Sequence, residues 1–104
     1  ASVHDSGFAE NRDLARIPFS MYYVYILESD KDSTYYIGCT NSIERRLIEH
    51  NKGLSKYTKT NKPWILRYKE RYNTLPEARK RENQIKSWKK RAAVEKLINA
   101  APIV

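Results

Sequence analysis

Cysteine is nearly absent from this 104-residue chain, where Cys39 stands alone. An internal disulfide is therefore excluded, and a reducing, cytoplasmic setting is expected. His4 and His50 are the only histidines, so the ligands for a zinc finger are missing. Glycine and proline are scarce, with 3 and 4 residues, which argues against a linker or a low-complexity protein. No apolar run reaches the roughly 18 residues of a membrane span. No secretory leader is expected either, because Asp5, Glu10, Arg12, Asp13 and Arg16 interrupt any apolar stretch near the start. Acidic residues are in deficit: 12 Asp and Glu face 20 Lys and Arg, for a net charge of +8. That surplus calls for a polyanionic partner, most commonly nucleic acid. An anionic membrane surface is the rival, but it needs a basic helix with a broad apolar face, or a lipid anchor. Neither is visible.

The chain does hold enough apolar and aromatic side chains, 40% and 12% of residues, to build one modest core. Residues 1–20 are polar and aperiodic and stop at Met21. They read as a disordered upstream or expression-derived extension before a native start at Met21, the alternative being an arm that orders on binding. From there the pattern is regular. Tyr22-Tyr23-Val24-Tyr25-Ile26-Leu27 is a strand buried on both faces. Turn chemistry at residues 30–33 leads to a second strand over residues 34–39, which makes an antiparallel hairpin. Asn41 and Glu44 have capping-box spacing and open a helix over residues 42–51, with Gly53 suited to a left-handed end. A basic loop follows over residues 54–63, then a third strand, Trp64 to Tyr72, apolar at first and alternating afterwards. Thr74 and Glu77 cap a second helix that runs to about residue 91, and residues 92–98 form a short last helix. The expected domain is thus α+β over residues 21–100, a small, mostly antiparallel three-stranded sheet flanked by helices in the order β-β-α-β-α-(α), with a tail at 101–104.

Several side chains sit where polar chemistry is costly. Arg46 and His50 share the inward stripe of the first helix with Ile43 and Leu47. An arginine there must reach a carboxylate, a phosphate or water, or else snorkel from the edge. A histidine at the helix end is also explained by the C-terminal dipole. On the second helix Glu82 lies between the core positions Ala78 and Ile85, in basic surroundings. It is either half of a salt bridge, to Arg46 or another basic residue, or a ligand for Mg²⁺, which commonly takes one carboxylate plus substrate phosphates. The hairpin carries Tyr22, Tyr23, Tyr25, Tyr35 and Tyr36, whose hydroxyls need partners, bases to stack on, or a phosphate to act near. Phenols, an arginine, a carboxylate and a positive surround make up the toolkit of metal-assisted phosphodiester hydrolysis.

Tyr23-Val24-Tyr25, Tyr36-Ile37-Gly38, Thr40-Asn41, Glu44-Arg45-Arg46-Leu47 and His50-Asn51 resemble the motifs of the GIY-YIG nuclease domain. Lys56-Tyr57-Thr58 and the run from Ala78 to Lys86 resemble its short single-domain branch. The likeness extends from Met21 to about Ile98. The first motif reads Tyr-Val-Tyr in place of Gly-Ile-Tyr, and neither Asn83 nor Asn99 matches the spacing of a late asparagine found in several members. The resemblance implies a DNA endonuclease using a single divalent metal, Mg²⁺ or Mn²⁺. It assigns Tyr25 and Tyr36 to the attacking water, Arg46 to the phosphate, Glu82 to the metal, and His50 to a helper position.

The generic backbone-binding surface is then expected from Lys52, Lys56, Tyr57 and Lys59 in the loop and from Arg79, Lys86 and Lys89 on the second helix. The leading expectation is a structure-selective or weakly specific DNA endonuclease of repair or processing, with RNA as a further substrate class. A lone domain of this kind would draw specificity from a protein partner or from dimerisation. The alternatives are a nucleic-acid-binding module of the same fold with little hydrolysis, and a basic docking domain for an acidic protein.

Overall fold

A computed structural model of the chain describes residues 21–101. The expectations for residues 1–20 and 102–104 lie outside the described residues. Three strands, β1 (Tyr22–Ser29), β2 (Tyr35–Thr40) and β3 (Trp64–Tyr72), form one antiparallel sheet in the order β2-β1-β3. Among the described residues three helices, α1 (Ile43–Asn51), α2 (Leu75–Trp88) and α3 (Arg91–Ala100), complete the α+β fold that the sequence predicts. Among the described residues no helix is long and apolar enough to cross a membrane.

The central position of β1 explains its unbroken apolar run, because both of its faces are covered: Val24, Tyr25, Ile26 and Leu27 are all buried. Val24 and Ile26 point to one side, where Cys39, Ala78, Ile85 and Val94 close a core beneath α2 and α3. Tyr25 and Leu27 point to the other, meeting Trp64 and the α1 residues Ile43 and Leu47. β3 serves both layers. Its register against β1 slips between Ile26, opposite Tyr68, and Leu27, opposite Leu66, so Arg67 is the extra residue. A one-residue slip moves side chains to the other face. Trp64 and Leu66 thus belong to the α1 layer, and Tyr68 and Tyr72 to the α2–α3 layer. On that side Glu70 accepts hydrogen bonds from the Tyr68 and Tyr72 hydroxyls, at 2.5 and 2.6 Å, and from Arg81 Nε at 2.9 Å.

Two boundaries differ from those expected. The cap of α1 is Ser42, whose Oγ accepts from the Arg45 N–H at 3.3 Å. Thr40 Oγ1 accepts from the Ser42 N–H at 3.1 Å and holds Asn41 outside the helix, where its Oδ1 accepts from Arg45 Nη2 at 3.1 Å. The second helix stops at Trp88, short of residue 91, because Lys89 adopts a left-handed conformation with φ 54°. That turn lets α3 fold back and place Val94 in the same core as Ile85; a straight continuation would carry it past the sheet. Gly53, with φ 78°, ends α1 in the left-handed way expected of it.

The cap of α2 is as expected: Thr74 Oγ1 accepts from the Glu77 N–H and donates to Glu77 Oε1 at 2.9 Å. Replacing Thr74 by Ala is expected to cost about 1 kcal/mol, read as a lower urea midpoint with an unchanged m-value.

Candidate active site

Arg46 and His50 are four positions apart on α1, so both enter the α1 layer on one face of the helix. His50 is fully buried at the helix end. Its Nε2 lies 3.1 Å from the Tyr25 hydroxyl and its Nδ1 2.7 Å from Thr58 Oγ1. Thr58 is itself fully buried, and its carbonyl accepts from Trp64 Nε1 at 2.9 Å. Asn51 ties the end of α1 to the start of β3, its Nδ2 donating to the Trp64 carbonyl at 3.2 Å and its Oδ1 accepting from the Trp64 N–H at 2.5 Å. The Tyr36 ring packs 4.8 Å from the His50 ring and edge-on to Trp64 at 6.2 Å. A buried line of polar groups therefore runs Tyr25–His50–Thr58, walled by Tyr36 and Trp64.

The glycine of the second motif makes this line possible. Gly38 stands opposite Tyr25 in the sheet. A Cβ there would lie 2.5 Å from the Tyr25 hydroxyl oxygen and 2.6 Å from Cζ. The phenol reaches His50 by lying across the bare backbone of the neighbouring strand.

Arg46 is 4% exposed. Its Nη1 donates to Glu49 Oε1 and its guanidinium also bonds to the Tyr25 hydroxyl, which leaves the buried Nε and Nη2 short of well-formed hydrogen bonds. Its guanidinium lies beside the Tyr25 phenol, whose proton affinity it lowers. Poorly satisfied donors on a buried cation are costly unless something anionic arrives to use them. Arg45, on the neighbouring stripe, engages Thr40, Asn41 and Glu49.

Burial, reinforced by Tyr36, pushes the Tyr25 hydroxyl well above the ordinary phenol range. Burial and the charge of Arg46 pull His50 down to about 4. Both groups are therefore neutral near pH 7. The arrangement that leaves the phenol's lone pairs toward Arg46 has the Tyr25 O–H donating to Nε2 and the Nδ1–H donating to Thr58 Oγ1.

Glu82 arrives on α2, 9% exposed, with Oε2 accepting from Lys86 Nζ at 2.7 Å. Of the two ion pairs open to it, the partner is a basic residue one turn away and not Arg46. The Lys86 side chain is 49% exposed, so the pair can open into solvent. The negative charge of Glu82 is felt at Tyr25 and at Cys39. Among the described residues no three His, Cys, Asp or Glu side chains converge on a metal position. The donor set is one carboxylate, which fits a hard divalent cation that completes its shell with phosphate oxygens and water.

Of the five hairpin tyrosines, Tyr25 and Tyr36 join this site. Tyr22 and Tyr35 pack on the opposite face, and Tyr23 lines a shallow pocket with Asn41, Ile43, Leu66 and Lys69. Lys52, Lys56, Tyr57 and Lys59 are all exposed, as are Arg79, Lys86 and Lys89. Lys86 and Lys89 also line a cleft of about 360 Å³ with Tyr35, Lys90 and Arg91, away from the Tyr25–His50 line. Thr58 and Asn51 were given no role by the sequence reading. Nothing local distinguishes a threonine in a basic loop, and only its membership of the stretch Lys56-Tyr57-Thr58 shared with the short branch marks it.

The sheet, the crossing of Tyr25 over Gly38 and the stripe of Arg46 and His50 define the class. The GIY-YIG catalytic domain matches residues 21–97, and the chain belongs to that nuclease-type family. Among its relatives, a UPF0213 protein of Staphylococcus haemolyticus is 43% identical over 68 residues, spanning 64% of this chain and 82% of that protein. A UPF0213 protein of Syntrophus aciditrophicus is 48% identical over 80 residues, spanning 75% and 87%. The solution NMR structure of a UPF0213 protein of Bacillus halodurans superposes with a TM-score of 0.51 at 32% identity, covering 78% of this chain and 85% of that one.

Two outcomes follow from this geometry. Gly38→Ala forces the buried Tyr25 ring aside and is expected to cost about 1–3 kcal/mol by denaturant melts, with the Tyr25–His50 bond lost in NMR spectra of the imidazole. His50 binds its proton near pH 4 when folded and near pH 6.5 when unfolded. The unfolded state thus takes up the proton first, and stability falls as pH drops from about 6.5 to about 4, by roughly 3 kcal/mol in all. His50→Gln is expected to flatten that part of a stability–pH profile measured beside wild type.

Proposed function

We propose that this domain is a divalent-metal-dependent endonuclease that hydrolyses DNA phosphodiester bonds with structure selectivity or weak sequence specificity. The observation that carries the reading is Arg46, buried with its guanidinium incompletely satisfied against a phenol that is itself hydrogen-bonded to a neutral histidine. A phosphate oxygen would satisfy that guanidinium and be held against Tyr25. Glu82 would hold Mg²⁺ or Mn²⁺ together with substrate oxygens, and the bound cation would neutralise charge developing on phosphorus.

The protein's own part is proton handling. Neither a free phenolate nor an imidazolium is favoured in so buried a place. Tyr25 instead takes the proton of the attacking water as it passes its own to His50 Nε2. The water's O–H bond breaks as its oxygen bonds phosphorus and the phosphorus–oxygen bond to the leaving group breaks; the imidazolium so formed is short-lived and returns its proton through the phenol to solvent, while the leaving oxygen takes one from solvent. His50 must enter unprotonated, which its depressed proton affinity ensures at neutral pH. Thr58 accepts from Nδ1–H and keeps Nε2 facing the phenol. Tyr36, packed on His50 and less buried than Tyr25, is left to contact the water or the sugar-phosphate. Such an activity fits DNA repair or processing, and a partner protein or second copy would supply the specificity that so small a domain lacks.

A second reading, a nucleic-acid binder of the same fold without hydrolysis, draws on the Lys86–Glu82 ion pair, which occupies one oxygen of the candidate metal ligand. Cleavage assays decide between them, using nicked, branched and single-stranded DNA and an RNA strand with Mg²⁺ or Mn²⁺. Arg46→Ala is expected to lose about 10²–10³-fold in rate, and Glu82→Gln to lose activity without rescue by added metal. Tyr25→Phe breaks the relay and slows cleavage while the fold is kept. No cleavage of any substrate at high enzyme concentration rejects the nuclease reading. Equal rates for wild type and Glu82→Gln reject the site.

A further inference from the structure

Tyr57 is the most exposed large apolar side chain among the described residues, at 82%. It stands on a loop that is held still. Thr58 and Ser55 are buried beneath it, and the N–H groups of Thr58 and Lys59 both donate to the Ser55 carbonyl, at 3.2 and 3.1 Å. Ser29 Oγ donates to the Asn61 carbonyl at 2.5 Å, and Lys31 Nζ donates to the Thr60 carbonyl at 3.1 Å, so the β1–β2 turn grips the far end. With Ser55 and Thr58 turned inward, Lys56, Tyr57 and Lys59 face solvent together. From Lys52 to Lys62 the loop has four lysines and no acidic residue. The residue that follows Tyr57 in the chain is Thr58, which holds His50 Nδ1. An exposed aromatic ring is thereby carried on an anchored backbone one peptide away from the candidate site, between cations.

Lysines alone would hold any phosphate backbone. An aromatic ring adds something only where a base has a free face, and inside a continuous duplex every base is already stacked. The ring is therefore of use at strand ends, gaps, flaps and single strands. Membrane association would want a continuous apolar face, whereas here the ring is flanked by Lys56 and Lys59.

We propose that Tyr57 is a stacking platform that selects nucleic acid carrying an unpaired base next to the phosphate at the Arg46 site. The inference rests on the nucleic-acid reading of that site and adds the substrate class. Binding is tested in EDTA, which separates it from cleavage, by fluorescence anisotropy with one labelled 20-nucleotide DNA presented as single strand and as blunt duplex. Tyr57→Ala is expected to weaken single-strand binding about tenfold or more and duplex binding less than about twofold, with melting unchanged because the side chain is exposed. Tyr57→Phe is expected to keep the preference. Lys59→Ala is expected to weaken both forms alike and to reduce the salt slope by about one. No loss on Tyr57→Ala, or an equal loss on both forms, overturns the proposal. Capture by phosphatidylserine vesicles that needs Tyr57, with single-strand affinity unchanged, overturns it too. If no substrate is cleaved but the Tyr57 effect is found, the platform stands and the nuclease reading falls; cleavage without a Tyr57 effect gives the reverse.

Discussion

The placement of one phenol governs the site. Tyr25 is 1% exposed and sits on the central strand, yet its hydroxyl must meet His50 on a helix that packs against the sheet. It does so by crossing Gly38, the one residue type that leaves the space. Everything downstream depends on that crossing. His50 can be neutral and fully buried because one nitrogen meets Tyr25 and the other meets Thr58. Thr58 can be buried in a polar loop because Trp64 and His50 satisfy it. Arg46, one turn before His50, is then left with donors that the protein itself fills only in part.

The positive charge of the chain divides accordingly. Most lysines and arginines among the described residues are exposed, those of the loop and of α2 included, where screening makes each a modest, salt-sensitive attraction. Arg46 is of another kind: desolvated, oriented and partly unsatisfied, it presents a directional demand for an anion. The distinction matters because a surface field raises the rate of encounter, whereas a buried, aimed cation determines which atom comes to rest where.

Much of this was legible in the sequence. The unbroken apolar run of β1, the stripe of Arg46 and His50, and the cap at Thr74 are local patterns, and the structure follows them. What escaped was non-local. Asn41 has the spacing of a cap, but Thr40 holds it out of the helix and Ser42 takes the role. Lys89 has no residue-type signal for a left-handed turn, and only the need to bring Val94 back to the core stops the helix there. Glu82 could be recognised as a carboxylate in a costly place; which cation it meets is a question of side-chain reach that spacing could not resolve. Thr58 was invisible because its partner lies eight residues away through a folded loop.

The extra residue at Arg67 lets a single strand face two hydrophobic layers. Trp64 closes one layer and Tyr68 the other, and the Glu70 carboxylate with its tyrosine and arginine partners depends on the same offset. The strand's length is consequently under tighter constraint than its composition. A side-chain exchange along β3 alters one layer at a time. Removing a single codon between Trp64 and Tyr68 would put one half of the strand inside out. Evolutionary drift in this segment should therefore proceed by substitution and leave its residue count untouched.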